Sequence, residues 1–376
     1  MSSSEASLRV ALISADFAPN VGGVAAHVVE LGAALAASGH EVHVVTLPLG
    51  EEYAAHAQWR GMQVWRPRIL RAEPFYSLLL HLWLKRWLRD HPIDVLHVHG
   101  MRPLVATRGL GVPVVFTNHT SGYLKRIAKG GRELHKIARR LAHIDAVLAP
   151  SQELCDATLE AGYQGPVEFI SNGVDTTAFS PADSPLRTAW DITDGELVVL
   201  LARRLVEKNG VVIFAEAATR LADLPLRFVL AGDGPERGKV EQILTQGGAI
   251  SRSILLGNVP NQQMLDVYRA ADISVLPSFM EATSITGLES MACGLPLVGT
   301  RVGGIPVLIE DGQSGSLVEP GDPDALAAAV RELAIDPERR ARMGQRGRQL
   351  AEERFSWVRI AEATVQAYRH CIESEI

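Results

Sequence analysis

Between Leu8 and Thr46 the chain runs through an apolar stretch, a glycine- and proline-bearing loop, an amphipathic stretch and a β-branched stretch, and few folds tolerate that order. Leu8 to Ile13 reads as a buried strand. Asp16 to Gly23 carries Pro19, Gly22 and Gly23, a loop signature. Val24, Val28, Leu31 and Leu35 then fall on one helical face, Gly39 stops the helix, and Glu41 to Thr46 opens a second strand. A strand–helix–strand unit implies a parallel sheet, because the crossover returns the chain to the end from which it started.

The same rhythm continues. Strands are predicted at Asp94 to Val98, Pro113 to Thr117, Ala146 to Ala149 and Val167 to Ile170. After a polar, proline-containing stretch from Asp175 to Pro185 the pattern restarts, with strands at Leu197 to Leu201, Phe228 to Ala231, Ser253 to Leu256, Ile273 to Leu276 and Leu297 to Gly299. A chain of 376 residues exceeds what one core usually covers. The expected organisation is therefore an α/β domain over 1–180, a second over 181–355, and a terminal helix over 356–376 that packs back on the first, with Val358, Ala361, Val365 and Tyr368 at helical spacing. In open parallel sheets ligands sit outside the carboxyl ends of the strands, so the loops just after strands are where chemistry is expected.

Bulk properties narrow the function. The net charge of -6 argues against nucleic acid as the main partner, and the acidic excess falls after residue 180. Cys155, Cys293 and Cys371 fit no zinc or redox spacing. The first residues lack the apolar core of a signal peptide, and Phe75 to Leu84 is too short to span a bilayer, so a cytoplasmic protein is expected.

Four post-strand loops of the second half carry candidate chemistry. Arg203 and Lys208, in Arg203-Arg204-Leu205-Val206-Glu207-Lys208, are two cations suited to a diphosphate whose charge grows as it leaves. Gly232-Asp233-Gly234 would let a nucleotide approach the backbone. Pro277 to Glu289 sets Glu281 in a loop and Glu289 about one turn into a helix, with Ser284 and Thr286 between; the helix start would offer amides to phosphate, and Glu289 could accept both hydroxyls of a ribose. Gly299 to Pro306, with Gly303-Gly304, is a tight loop near the same place. In the first half, Gly22-Gly23 opens a helix, and His119 follows a strand where it could hydrogen-bond a sugar hydroxyl. His97 and His99 end another strand, and His27 reads as structural. No histidine, cysteine or carboxylate trio has metal-ligand spacing, and neither G-x-G-x-x-G nor a P-loop is present.

At this point the run PSFMEATSITGLESMACGLPLVGTRVGGIPVLIEDG, Pro277 to Gly312, resembles the signature of family 4 glycosyltransferases, retaining enzymes of the GT-B fold. PNVGGVAAHVVELGAALAASGHEVHVVT near the start, SNGVDTTAFSP at Ser171 to Pro181, the Arg203–Lys208 pair and AGDGPE at Ala231 to Glu236 add to the resemblance in the expected order. It implies two Rossmann-like parallel-sheet domains facing across a cleft, an acceptor-binding one first and a nucleotide-sugar donor one second. It also implies roles: Arg203 and Lys208 neutralise the donor diphosphate, Glu289 holds the ribose, and Glu281 and His119 contact the donor sugar. Backbone at Thr283, Ser284 and Ile285 cradles phosphate, and Gly22, Gly23, Gly232, Gly234 and Val259 join the donor site. No cofactor and no metal are expected. The chain departs from the family in reading Ala282-Thr283-Ser284 where Gly-Phe-Gly is common, and RRLVEKN where a Lys-Gly pair is commoner, so Arg204 stands beside Arg203 as a possible phosphate ligand, with Arg203 preferred because its spacing to Lys208 matches without a gap.

The expected partners are a nucleotide-sugar donor, UDP-sugar ahead of GDP-sugar, and a glycan, lipid-linked or small-molecule acceptor. Lys125, Arg126, Lys129, Arg132, Lys136, Arg139 and Arg140, opposed only by Glu133, form a basic segment that reads either as a solvated face or as peripheral contact with anionic membrane at its inner face. The alternatives are a GT-B-type sugar-nucleotide epimerase or sugar synthase, and a two-lobed small-molecule binding protein without catalysis.

Overall fold

The computed structural model describes residues 6–19, 23–48, 50, 53–119 and 121–374. The chain forms two compact units: the first runs to Gly173 and resumes at Trp357, and the second is Val174–Ser356. The break after Gly173 precedes the expected one after residue 180, so the polar stretch from Asp175 belongs wholly to the second unit.

The first unit is built on eight strands: β1 (Arg9–Ser14), β2 (Glu41–Val45), β3 (His56–Trp59), β4 (Met62–Trp65), β5 (Val95–His99), β6 (Val114–Thr117), β7 (Ala146–Ala149) and β8 (Val167–Phe169). Their order across the sheet is β3-β4-β2-β1-β5-β6-β7-β8. Every neighbour is parallel except the β3–β4 hairpin. Successive β1 side chains serve opposite cores. Ala11 and Ile13 pack with Tyr76, Leu84 and Trp87 of the helix Phe75–Asp90. Val10 and Leu12 pack with Val28, Leu31 and Leu35 of the helix Gly23–Ala37, and with Val365 and Tyr368 of the terminal helix Trp357–Glu373. Coverage on both faces explains why these strands read as continuous apolar runs. The terminal helix is bonded as well as packed: the Tyr368 hydroxyl lies 2.7 Å from His97 Nδ1, and His97 Nε2 lies 2.8 Å from Thr117 Oγ1. Both ring nitrogens of His97 are thus spent inside the core, where burial drives its pKa down to about 3.

The hairpin was not foreseen. Arg60 and Gly61 turn it at φ of 48° and 79°, the left-handed pair that a tight two-residue hairpin requires.

The second unit has six strands: β9 (Leu197–Ala202), β10 (Leu226–Ala231), β11 (Ser253–Gly257), β12 (Ile273–Leu276), β13 (Leu297–Thr300) and β14 (Gly315–Val318). Their order is β11-β10-β9-β12-β13-β14, all parallel. The chain travels outward from β9 through β10 to β11, then returns to place β12 on the other side of β9. That reversal is a topological switch point, where the loops after two adjacent strands diverge and leave a crevice. In the first unit β1 lies between β2 and β5, so its switch point falls between β1 and β5.

Candidate active site

The second unit's switch point gathers the predicted charged residues. Arg203 is the first residue beyond β9, and Ser278 and Glu281 lie just beyond β12. The Arg203 guanidinium is largely buried; its Nη1 donates to Ser278 Oγ at 2.8 Å and its Nη2 donates to the Glu281 carboxylate. Burial pulls the Arg203 pKa down to about 10, so the side chain is still cationic at neutral pH. Arg204 is exposed, and its carbonyl accepts from Asn209 Nδ2 at 2.8 Å. Arg203, the arginine that the spacing to Lys208 favoured, is the one bonded within the loop cluster. Lys208 is exposed, and its carbonyl accepts the amides of Phe279 and Met280 at 2.8 and 3.3 Å, which binds the post-β9 loop to the post-β12 loop.

These loops press backbone against backbone. A Cβ on Gly210, at φ +66°, would stand 1.7 Å from the Pro277 carbonyl oxygen, and one on Gly303, at φ +49°, 1.7 Å from that of Glu281. Gly232 and Gly234 were expected to give a nucleotide close access. Their Cβ directions instead face the Arg203 and Leu205 carbonyls, at 2.0 and 2.3 Å, so the close approach there is loop on loop. The Thr300 hydroxyl donates to the Ser278 carbonyl at 2.7 Å, and the Gly304 amide to that of Glu281 at 2.9 Å.

Beyond Ala282 and Thr283 the chain enters the helix Ile285–Ala292, capped by Ser284, whose Oγ accepts from the Gly287 amide at 3.2 Å. Glu289 sits one turn in. Its Oε2 accepts a 2.6 Å hydrogen bond from Tyr268, a fully buried residue on the helix Asn261–Ala270. Burial pushes the Glu289 carboxyl up to about 7, and the Tyr268 hydroxyl acts against that shift. Val259, after β11, packs on the same apolar cluster as Tyr268, Ala202 and Ala231. Tyr268 and Ser278 were both missed by sequence reasoning: a tyrosine on a crossover helix and a serine beside a proline carry no pattern of their own.

Gly23 and His119 belong to the first unit. Gly23 is exposed at the start of its helix, with nothing within 4 Å of where a Cβ would stand; Gly22 lies outside the described residues. His119 does not stand alone. Its ring lies nearly parallel to His99, with His99 Nδ1 3.1 Å from His119 Nε2, and 4.3 Å centroid to centroid from His27. Burial lowers His27 to about 4 and drives His99 and His119 well below the usual imidazole value, so all three rings are neutral at pH 7. The sequence offered no metal-ligand trio, yet one nitrogen from each ring falls within 4.8 Å of the others. Sequence spacing could not reveal it, because the β1–β5 switch point brings together a helix start and two strand ends that are far apart in the chain. His27 is further held by Asn172 Oδ1, 2.8 Å from its Nδ1.

The basic segment forms the helices Ser121–Ile127 and Gly131–Leu141. Ile137 and Leu141 are buried, and Lys129, Arg132, Lys136 and Arg139 are exposed. Glu133 pairs with Lys136 at 2.7 Å and with Arg126 at 3.2 Å. Arg140 is half-buried, and the Lys125 side chain lies outside what is described. Among the described residues no helix is long and apolar enough to cross a membrane.

The Glu289–Tyr268 pair yields a measurable titration. Between about pH 4.5 and 7 the folded chain keeps a proton at Glu289 that the unfolded chain has released, so this group makes stability fall as pH rises across that window. A carboxyl-carbon NMR titration should place the Glu289 midpoint near 7. Tyr268→Phe should raise it further, since the hydroxyl that favours the carboxylate is gone, and Glu289→Gln should flatten the stability slope. A lower midpoint in the phenylalanine variant would contradict the pairing.

Residues 184–350 match the family described as Glycosyl transferases group 1, and residues 21–178 match Glycosyltransferase Family 4. A phosphatidylinositol N-acetylglucosaminyltransferase polypeptide from Arabidopsis thaliana is 30% identical over 97% of this chain and 83% of that protein. Among solved structures, sucrose-phosphate synthase from Thermosynechococcus elongatus superposes with a TM-score of 0.80 at 23% identity, over 98% of this chain and 100% of that one. HepE from Anabaena, solved in complex with UDP-glucose, gives 0.75 at 20% identity, over 96% and 100%. The fold is GT-B. With family matches covering both units and a relative alike across nearly its whole length, the chain belongs to glycosyltransferase family 4 and is a glycosyltransferase.

Proposed function

We propose that the chain moves a hexosyl or N-acetylhexosaminyl group from a nucleotide-sugar, UDP-linked ahead of GDP-linked, to an acceptor hydroxyl with retention of anomeric configuration and without a catalytic metal. The observation that carries this reading is the second unit's loop cluster. A buried guanidinium, an exposed ammonium, a helix start and a half-titrated carboxylate stand at one switch point. Arg203 and Lys208 face the charge that grows on the diphosphate, and the amides opening the helix at Ile285 face its oxygens. Glu289, once ionised, accepts the ribose hydroxyls. The acceptor oxygen bonds to the anomeric carbon on the face from which the diphosphate oxygen departs, leaving nucleoside diphosphate. Arg203 is engaged by Ser278 and Glu281, so an incoming phosphate competes for a cation already positioned. Gly23 and His119 keep roles at the diphosphate and donor sugar on the strength of the family resemblance. The preference for UDP follows family frequency, and the HepE complex with UDP-glucose agrees with it.

The exposed lysines and arginines of the segment Ser121–Leu141 support peripheral docking at the inner face of an anionic membrane, where a lipid-linked acceptor would be met. Sedimentation with anionic vesicles at low salt should carry the protein down, and reversing the charge of Arg132, Lys136 and Arg139 should release it. Equal sedimentation of both forms would remove the docking face.

Donor binding is tested by thermal stabilisation with UDP, GDP and ADP and their sugar conjugates. One nucleotide should raise the melting temperature, and Glu289→Ala should abolish that rise; no shift with any of them would overturn the donor reading. Lys208→Ala should lower kcat about 100-fold while leaving KM for the donor nearly unchanged, since its charge counts most as the leaving group develops. Unchanged turnover would remove Lys208 from the chemistry.

A further inference from the structure

Three imidazoles converge at the carboxyl edge of the first unit's sheet, and their hydrogen bonding leaves nitrogen lone pairs without an occupant. His27, in the second turn of the helix Gly23–Ala37, has Nδ1 held at 2.8 Å by Asn172 Oδ1. An amide oxygen only accepts, so Nδ1 carries the proton and the Nε2 lone pair is left over. His99, the last residue of β5, is fully buried, and its Nε2 has no hydrogen-bond partner. His99 Nδ1 and His119 Nε2 stand 3.1 Å apart, where one shared proton leaves the second ring a donor or an acceptor but not both. The unpartnered His99 Nε2 lies across its ring from Nδ1 and takes no part in the convergence; the nitrogens that meet are His99 Nδ1 and His119 Nε2. The neighbouring His97 is excluded as a ligand because Tyr368 and Thr117 occupy both of its nitrogens.

We propose that His27, His99 and His119 form a binding site for a divalent transition-metal ion of the zinc class. Two nitrogens on a tetrahedral zinc stand about 3.3 Å apart, close to the spacing that His99 and His119 already have. The third ring must close by at most about 1.5 Å from the 4.8 Å limit within which all three nitrogens lie. Three neutral nitrogen donors and no carboxylate select zinc, nickel or copper over magnesium and calcium, which require oxygen. Asn172 plays the outer part that histidine ligands usually need, fixing the tautomer of His27 from behind. His119 is only half-buried, which leaves a fourth position for water. Such an ion would not serve sugar transfer. It would occupy His119 and so inhibit, a consequence that rests on the donor role proposed above, whereas the site itself does not.

Cobalt(II) is the probe, because an ion held by three histidines and water absorbs strongly in the visible while octahedral aqueous cobalt does not. The full-length chain, stripped with chelator, should take up one cobalt per molecule with that band, and zinc should displace it and raise the melting temperature. His99→Gln should abolish the band. Because that side chain is deeply buried, Asn172→Ala provides the second variant: all three ligands remain, and cobalt affinity should fall about 10- to 100-fold. Absence of the band in the wild-type chain, or equal binding by wild type and Asn172→Ala, would overturn the site. If the band forms while zinc leaves sugar transfer unchanged, the metal site stands and the donor role of His119 falls.

Discussion

Backbone contact between loops is the constraint on which the second unit's chemistry depends. A guanidinium can be held inside a protein at neutral pH only if its hydrogen-bond partners are fixed before it arrives, and those of Arg203 sit on a different loop, at Ser278 and Glu281. That loop is kept in place by carbonyl-to-glycine approaches at Gly210 and Gly303 that leave no room for a side chain. The geometry of the cation is therefore set by residues that carry no charge.

The two carboxylates of the cluster are treated differently by the same fold. Glu281 lies against an arginine, while Glu289 has only a tyrosine hydroxyl as partner in a buried setting, and its pKa rises to about 7. Two acids eight positions apart in sequence thus meet different partners. One is held as a counter-ion, and the other can exchange its proton in the physiological range.

Most of the fold could be read directly from the sequence, because strands covered on both faces are mostly apolar, as β1, β5, β9 and β12 are. The β3–β4 hairpin escaped because His56–Trp59 is mostly exposed and its turn is Arg60-Gly61 rather than an asparagine–glycine pair. The four-residue β14 escaped because its Gly-Ser-Leu-Val sequence is too short and too polar to stand out. At the site, charged residues in post-strand loops were legible, and the spacing to Lys208 already favoured Arg203 over Arg204, whereas the partners that hold Arg203 were not legible, since only packing brings Ser278 and Glu281 to it. Tyr268, Ser278 and Asn172 were illegible for the same reason. The histidine trio could not be read at all: its members come from a helix start and two strand ends that share nothing but a position beside the switch point.

The terminal helix Trp357–Glu373 is part of the first unit's core, where Tyr368 reaches His97, so the second unit is an insertion within the first. The two connections run side by side: the Val174 amide donates to the Phe355 carbonyl at 2.8 Å, and Gly173 lies against the Trp357 ring with no room for a Cβ. A ribosome makes such a chain in an awkward order. The inserted unit is continuous and can close as soon as residue 356 emerges, whereas the unit begun before it must wait for the helix Trp357–Glu373 before His97 finds its partner. Until then its second apolar face, lined by Val10, Leu12 and Val115, lacks part of its cover. Residues made before the inserted unit are therefore sealed only after it, and during synthesis the first unit is the one more exposed to misassembly.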